Sequence, residues 1–499
     1  MKKRLLVIWI AIICVIGSAC AGMTSEEQKM QGKEYAEVRS SHAEANQYQT
    51  DVTLSEEEQQ LDQKLAAWKE AYKTSCDGAV PYDMPVLTDE NIWDSELYAF
   101  CERLPKGSDL HIHGMALMPF EELLAFVTAR DDLYIGTGDK NRCVLAYHED
   151  AKEAAEDEFP VKEALARGLI DKNELRDQWT VLGGKEAPDI WVWFETLFDK
   201  QGALSASPAL IEAYYQDAFR YYCRNHILHL EVRQLFFGSH EQAEENAKAI
   251  RNAYYDVRKE YPGFLVSLVG TGLKYASLDR GLTDTLLDNA LYVRDHVKDE
   301  FDPDDIHDFL IGIDLVNEED KSRPLTEFAD QLDQIKKENP DLHLMLHAGE
   351  SLNADSDNVI DAYLLGADRI GHGLNLYRFP DIMDLVKKDG ICLEVCPVSN
   401  QTLRYVNDLR SHPAVEYLKR AVPISICSDD PAYLEHETLT DDFFAAILCW
   451  DLGLEEIKQL CMNSITYSAV DETQKEELMK NWEEQWKAFL QDEKERDAG

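Results

Sequence analysis

The sequence predicts an α/β fold, a (β/α)8 TIM barrel, on three observations. Eight short β-rich runs recur from residue 108 onward: 108–113, 226–234, 264–270, 309–316, 342–347, 369–372, 392–396 and 424–427. From the second run on, segments of helical length separate them, such as 242–261, 325–339 and 358–365. Alternating strands and helices in this number specify a barrel, here expected over residues 106–470. The runs are also almost continuously apolar, as strands covered on both faces must be.

The chain before the barrel reads in three parts. Lys2, Lys3 and Arg4 precede an apolar run, 5–17, that is short for a bilayer span, so residues 1–20 read as an export signal. Cys20 follows two small residues, Ser18 and Ala19, as at a bacterial lipoprotein cleavage site, although Gly17 stands where a leucine is usual. Cys20 would then carry a lipid, the protein's one membrane contact, and hold it at the cell surface or in a periplasm. The rival reading is ordinary cleavage after Ala21, which gives a secreted protein. Residues 21–53 are polar with no apolar period, a flexible tether. Residues 54–105 form a helical extension: Ser55 can cap a helix over 54–74, Glu58 lies three residues on, and Leu61, Leu65 and Trp68 share a face. A second helix is expected over 93–104.

One gap is too long for a loop. Residues 115–225, between the first two strands, hold helical stretches (121–129, 154–166, 208–223) and an irregular segment with Gly136, Gly138, Gly183 and Gly184. They read as a subdomain inserted at the barrel mouth. Residues 471–499 form a C-terminal amphipathic helix and tail, with Leu478, Trp482, Trp486 and Phe489 as the apolar face.

Composition excludes some partners. The 499 residues carry 50 basic and 95 acidic side chains, a net charge of −45, which repels phosphate backbones and excludes nucleic acid. Of the 11 cysteines, Cys392, Cys396, Cys427, Cys449 and Cys461 sit in apolar runs as small core residues. Export permits disulfides, and Cys76 with Cys101 is the one pair to consider.

The chemistry lies at the strand ends. His111 and His113 are two apart on the first strand and so share a face. His347 ends the fifth strand, in HLMLHAGE, and Asp429 follows the eighth, in PISICSDDP. Polar residues at the C-terminal ends of barrel strands read as catalytic. Three imidazoles and a carboxylate suit zinc, with a place left for water. Two-metal barrel hydrolases often bridge their ions with a fourth-strand lysine, and FLIGIDLV has none, so one ion per chain is expected. Zinc acidifies water toward neutrality. Asp430 can accept that water's proton, His372 can orient it, and Glu350 can serve as general acid. This division matches the zinc deaminase scheme, in which a non-ligand glutamate shuttles protons.

The motifs LPKGSDLHIH, HAGE, RIGHG, LEVCPVSNQTL and SDDP together resemble the adenosine deaminase family. WVWFETLF, HLEVRQLF, GIDLVNEED, NDLRSHP and CMNSITYS bring the likeness closer to its secreted branch, the adenosine deaminase-related growth factors. The likeness covers residues 95–470. It implies a barrel of the metal-dependent hydrolase type, with His111, His113, His347 and Asp429 as zinc ligands and Glu350, His372 and Asp430 as catalytic groups. It places Trp191 and Glu195 near the ribose, and it implies support for a homodimer.

Four departures follow. Gly114 and Met115 stand where the family usually has an acid for the sugar hydroxyl. Asn317 replaces a glycine whose backbone contacts the purine, and Arg323 stands where the branch often has histidine. The insertion holds one cysteine, Cys143, so the branch's disulfide there is absent. The expected activity is exported, zinc-dependent conversion of adenosine, and of 2′-deoxyadenosine, to inosine and ammonia. Alternatives are deamination of another aminopurine such as AMP or adenine, for which Arg323 is a motive, and a non-catalytic binding protein on the same fold.

Overall fold

Eight parallel strands form the centre of this computed structural model, which describes residues 35–40, 43, 46–76, 82, 92–302 and 305–496. The lipidation and signal readings, including Cys20, lie outside the described residues. The chain divides into two units, Met1–Gln49 and Thr50–Gly499. In the first, residues 35–40 are helical.

The strands, in chain order, are β1 (Gly107–His113), β2 (Leu133–Gly136), β3 (Leu145–Tyr147), β4 (Glu158–Pro160), β5 (Ile227–Gln234), β6 (Leu265–Leu273), β7 (Lys298–Asp302), β8 (Asp305–Asp308), β9 (Leu310–Val316), β10 (His343–Ala348), β11 (Arg369–His372), β12 (Cys392–Val395) and β13 (Ile424–Ile426). The barrel order is β1-β5-β6-β9-β10-β11-β12-β13. The ring closes where the Asp429 N–H donates to His111 O at 2.9 Å and the His113 N–H to Asp429 O at 3.0 Å. Seven barrel strands fall within one residue of their sequence-based bounds, and β6 runs three residues past its own, because unbroken apolar runs between polar loops leave little freedom of placement.

The helices flanking the barrel also follow their signals. Ser55 caps Glu56–Ser75, with the Glu58 N–H donating to Ser55 Oγ at 3.3 Å and the Ser55 N–H to Glu58 Oε2 at 2.8 Å. Glu472–Arg496 buries Leu478, Trp482, Trp486 and Phe489, as its periodicity demands. The two helices meet at Glu58, which accepts from Trp486 Nε1 at 2.8 Å and from Lys458 Nζ at 2.6 Å. Burial opposes its charge, but these donors and the cap hold the Glu58 pKa down at about 2.

The insertion differs in two respects. The expected helix over 154–166 begins only at Val161, after β4, because Pro160 lacks an N–H and suits a position at the helix start. β4 pairs with β2, and β2 with β3, in a small antiparallel sheet too short to show alternation. The helix Pro208–Arg224 lies beside the barrel helix His240–Glu260, with Gln216 Nε2 3.0 Å from Asp256 Oδ2 and Arg220 Nη2 2.9 Å from Glu260 Oε1. It thus acts as the crossover helix into β5, and the projecting part is shorter than 115–225. Cys101 is a free thiol, so the considered disulfide with Cys76 is not formed. Cys143 is free as well.

Candidate active site

Two strand ends, of β1 and β10, and the loop after β13 converge on a point at the barrel mouth. One donor atom from each of His111, His113, His347 and Asp429 lies within 4.8 Å of the others. Asp429 Oδ1 is 3.4 Å from His111 Nε2 and 3.3 Å from His113 Nε2. His347 pairs in register with Gly371 of β11, where a Cβ would come within 3.2 Å of His111 Cε1. Glycine there leaves room for the imidazoles. His111 Nε2 is buried without a hydrogen-bond partner, a state that native structures rarely leave uncompensated. The donor set and this orphaned nitrogen fit a zinc ion.

Behind the histidines lies a charged layer that sequence reasoning missed. Glu394 Oε2 is 2.9 Å from His111 Nδ1, and Asp314 Oδ2 is 2.6 Å from His347 Nδ1. Such pairs fix the ring and turn the other nitrogen toward the centre. Arg233 joins them, donating to Asp314 Oδ2 at 2.7 Å and to Glu394 Oε2 at 2.5 Å. Arg369 donates to Glu394 Oε1 at 2.7 Å and also to Glu231. Burial disfavours the charges, yet the cations hold Glu394 well below the usual carboxylate range, and His347 with Arg233 does the same for Asp314. Burial pushes His347 down to about 3, so its ring is neutral and free to ligate. The available signal was one charged letter inside each apolar strand, since a buried charge requires partners.

Glu350 and Asp430 behave in the opposite way. Burial, then the charges of Asp429 and Glu319, push the Glu350 carboxyl well above its ordinary range. Burial and Asp429 do the same to Asp430. A cation at the centre would offset the Asp429 part of this push on Glu350 and leave the larger part, burial, in place. Glu350 is held by its neighbour Gly349, whose φ of +80° suits glycine and whose Cβ would lie 2.4 Å from Val359 Cγ1. The Gly349 N–H donates to Glu319 Oε2 at 2.7 Å. His372, Asp429 and Asn317 also have positive φ, at +60°, +65° and +108°. Non-glycine residues held at positive φ store backbone strain, which functional sites often retain.

A cavity of about 620 Å³ opens above these groups. His113, His347, Glu350, His372, Asp429 and Asp430 line it, and the insertion contributes Trp191, Glu195 and Phe198. Burial raises the Glu195 pKa, while Tyr275 and Asn317 hydrogen-bond the carboxylate. Gly114 also lines the cavity, and a Cβ there would lie 2.2 Å from both Tyr215 Oη and Gln234 Oε1. Those two unpredicted side chains therefore fill the space beside the missing acid. Arg323 does not itself line the cavity: its guanidinium donates to the backbone carbonyl of Leu278, a lining residue, at 2.8 Å.

Comparison with known proteins now decides the family. A family model described as adenosine deaminase matches residues 215–485. The chain belongs to the adenosine deaminase family. It is a deaminase. Adenosine deaminase 2 of Dictyostelium discoideum is 27% identical over 421 residues, covering 80% of this chain and 75% of that protein. An adenosine deaminase of Lutzomyia longipalpis is 29% identical over 464 residues, covering 88% and 89%. Among solved structures, a cog1816 amidohydrolase from Burkhoderia ambifaria with bound Zn superposes with a TM-score of 0.56 at 16% identity, covering 82% of this chain and 98% of that one. The N6-methyl-AMP deaminase of Arabidopsis thaliana gives 0.56 at 17% identity, covering 78% and 98%. Both share the barrel fold.

Proposed function

We propose that this deaminase hydrolyses adenosine and 2′-deoxyadenosine to inosine or its 2′-deoxy form and ammonia, with one zinc ion held by His111, His113, His347 and Asp429. The observation that carries the reading is four converging ligand atoms at the floor of a cavity that the buried Glu350 also lines. Zinc at that point would acidify water to near-neutral pH. Glu350 gives its proton to the ring nitrogen next to the amino-bearing carbon, which makes that carbon open to attack. Asp430 accepts a proton from the attacking water, and His372 orients it. Water adds, Asp430 passes the proton it took to the amino group, the C–N bond breaks to release ammonia, and the hydroxyl proton returns to Glu350 as the inosine carbonyl forms.

Loss of the adenosine absorbance in the ultraviolet tests the reaction. Elemental analysis is expected to give one zinc per active chain; two would refute the mononuclear site.

A nucleoside suits the pocket better than a nucleotide. Among the described residues that line the cavity, the one arginine is Arg233, already paired with Asp314 and Glu394. A phosphate would enter without a free guanidinium, since Arg323 is engaged by the Ala276 and Leu278 carbonyls. Adenosine is therefore expected to have a higher kcat/KM than its 5′-monophosphate, and Arg323→Ala to leave that ratio unchanged. Preference for the monophosphate would overturn the substrate assignment and leave the zinc chemistry standing. Glu195→Ala is expected to act mainly on KM, through the ribose end. The same reading takes the protein as exported, anchored by lipid on Cys20 or secreted. Cys20→Ala would move an anchored protein from the membrane fraction to the soluble one.

A further inference from the structure

A chain of hydrogen bonds leads away from His372 on the side opposite the cavity, and its direction can be read without ambiguity. The starting donor is a backbone group. The Ala414 N–H donates to His412 Nδ1 at 3.0 Å, so that nitrogen carries no proton. A neutral imidazole keeps one N–H, so His412 Nε2 is the donor. Nε2 lies 3.2 Å from Asn400 Oδ1, which must accept. That fixes which end of the Asn400 amide is which, a choice that geometry alone often leaves open. The Asn400 Nδ2–H group then faces His372 Nδ1 at 3.2 Å and donates to it. His372 Nδ1 is an acceptor, and the His372 proton sits on Nε2.

The surroundings hold this arrangement still. His372, Asn400 and His412 are all buried. Asn400 is fixed in its helix, and its carbonyl accepts from the Tyr405 and Val406 amides at 2.9 and 3.0 Å. His412 packs against Trp450, with ring centroids 5.3 Å apart. His372 sits at the centre of a γ-turn, with φ of +60° and the Gly373 N–H donating to Gly371 O at 2.8 Å. Glu350 Oε1 is 3.6 Å from the same Nδ1, beyond hydrogen-bond reach.

We propose that Asn400 and His412 are positioning residues that lock His372 as the Nε2–H tautomer, so that His372 meets water and substrate as a hydrogen-bond donor. The proposal rests on the deaminase reading for the consequence in turnover and on the hydrogen-bond chain alone for the tautomer. Neither residue touches the cavity. The chain also gives a reason for residues 40 positions apart in sequence to act together.

Asn400→Asp is the test. It keeps size and shape but replaces the donor with an acceptor, which draws the proton to His372 Nδ1. Turnover is expected to fall by about a hundredfold or more, as when a catalytic imidazole is held in the wrong tautomer. The KM for adenosine should change only a few-fold. His412→Phe, which removes the group that orients Asn400 without burying a charge, should lower kcat in the same direction, and His412→Gln should restore part of it. Nitrogen NMR of the 15N-histidine-labelled, zinc-loaded parent, with His372 assigned by its loss in His372→Gln, reads the tautomer directly. A proton found on Nδ1, or turnover within a few-fold of the parent in folded Asn400→Asp, overturns the proposal. A parent without adenosine deaminase activity would overturn the substrate reading, and the nitrogen signature would still decide the tautomer.

Discussion

Glu350→Gln is expected to lose about a hundredfold or more in turnover, the usual scale for a general acid, while zinc content and fold persist. The amide fills the same space, so the cavity keeps its shape. What it lacks is a transferable proton. In the parent, burial and the nearby Asp429 and Glu319 charges keep that proton on the carboxyl. The pH dependence follows with a definite sign. A raised pKa means the working, protonated form is fully present below it and is lost as pH rises through it. The kcat/KM profile should therefore fall on the alkaline side, at a pH well above an ordinary glutamate's. Activity of the glutamine variant within a few-fold of the parent would remove Glu350 from the mechanism.

The position of Glu350 at the cavity was legible because three letters, HAG, place it beyond a strand that ends in histidine. The barrel strands were legible for a related reason: a strand covered on both faces has no polar period to confuse it. The insertion was less so. Its strands β2, β3 and β4 are four, three and three residues long, shorter than any run that shows alternation. Tyr215 and Gln234 were missed because the loss at Gly114 is compensated from a helix and a different strand. No local pattern records that. Asp314 and Glu394 were visible as letters, but only the register of the barrel sets them behind His347 and His111. Arg323 is a cation with suitable chemistry, but its side chain ties down backbone carbonyls of a neighbouring loop, a use that no local sequence pattern records.

Glu394 should be the most sensitive residue outside the cavity. Its two oxygens serve His111, Arg233 and Arg369, and the whole group is excluded from water. Removing the carboxylate leaves two guanidinium groups buried with part of their pairing gone. Breaking a buried ion pair from one side typically costs about 3–5 kcal/mol. Glu394→Ala is accordingly expected to lower Tm sharply and to reduce the yield of folded protein. Glu394→Gln is the more informative change, because it keeps the volume and one accepting oxygen. It can still receive from one arginine, but it weakens the grip on His111 Nδ1, which orients the ring toward the metal point. Loss of such an outer partner commonly costs about tenfold to a hundredfold in metal affinity. Chelator competition should show zinc leaving Glu394→Gln that much more readily, with activity recovering as zinc is added back. Zinc affinity equal to the parent's, in a folded variant, would show that His111 is held by its strand alone and that the charged layer serves only stability.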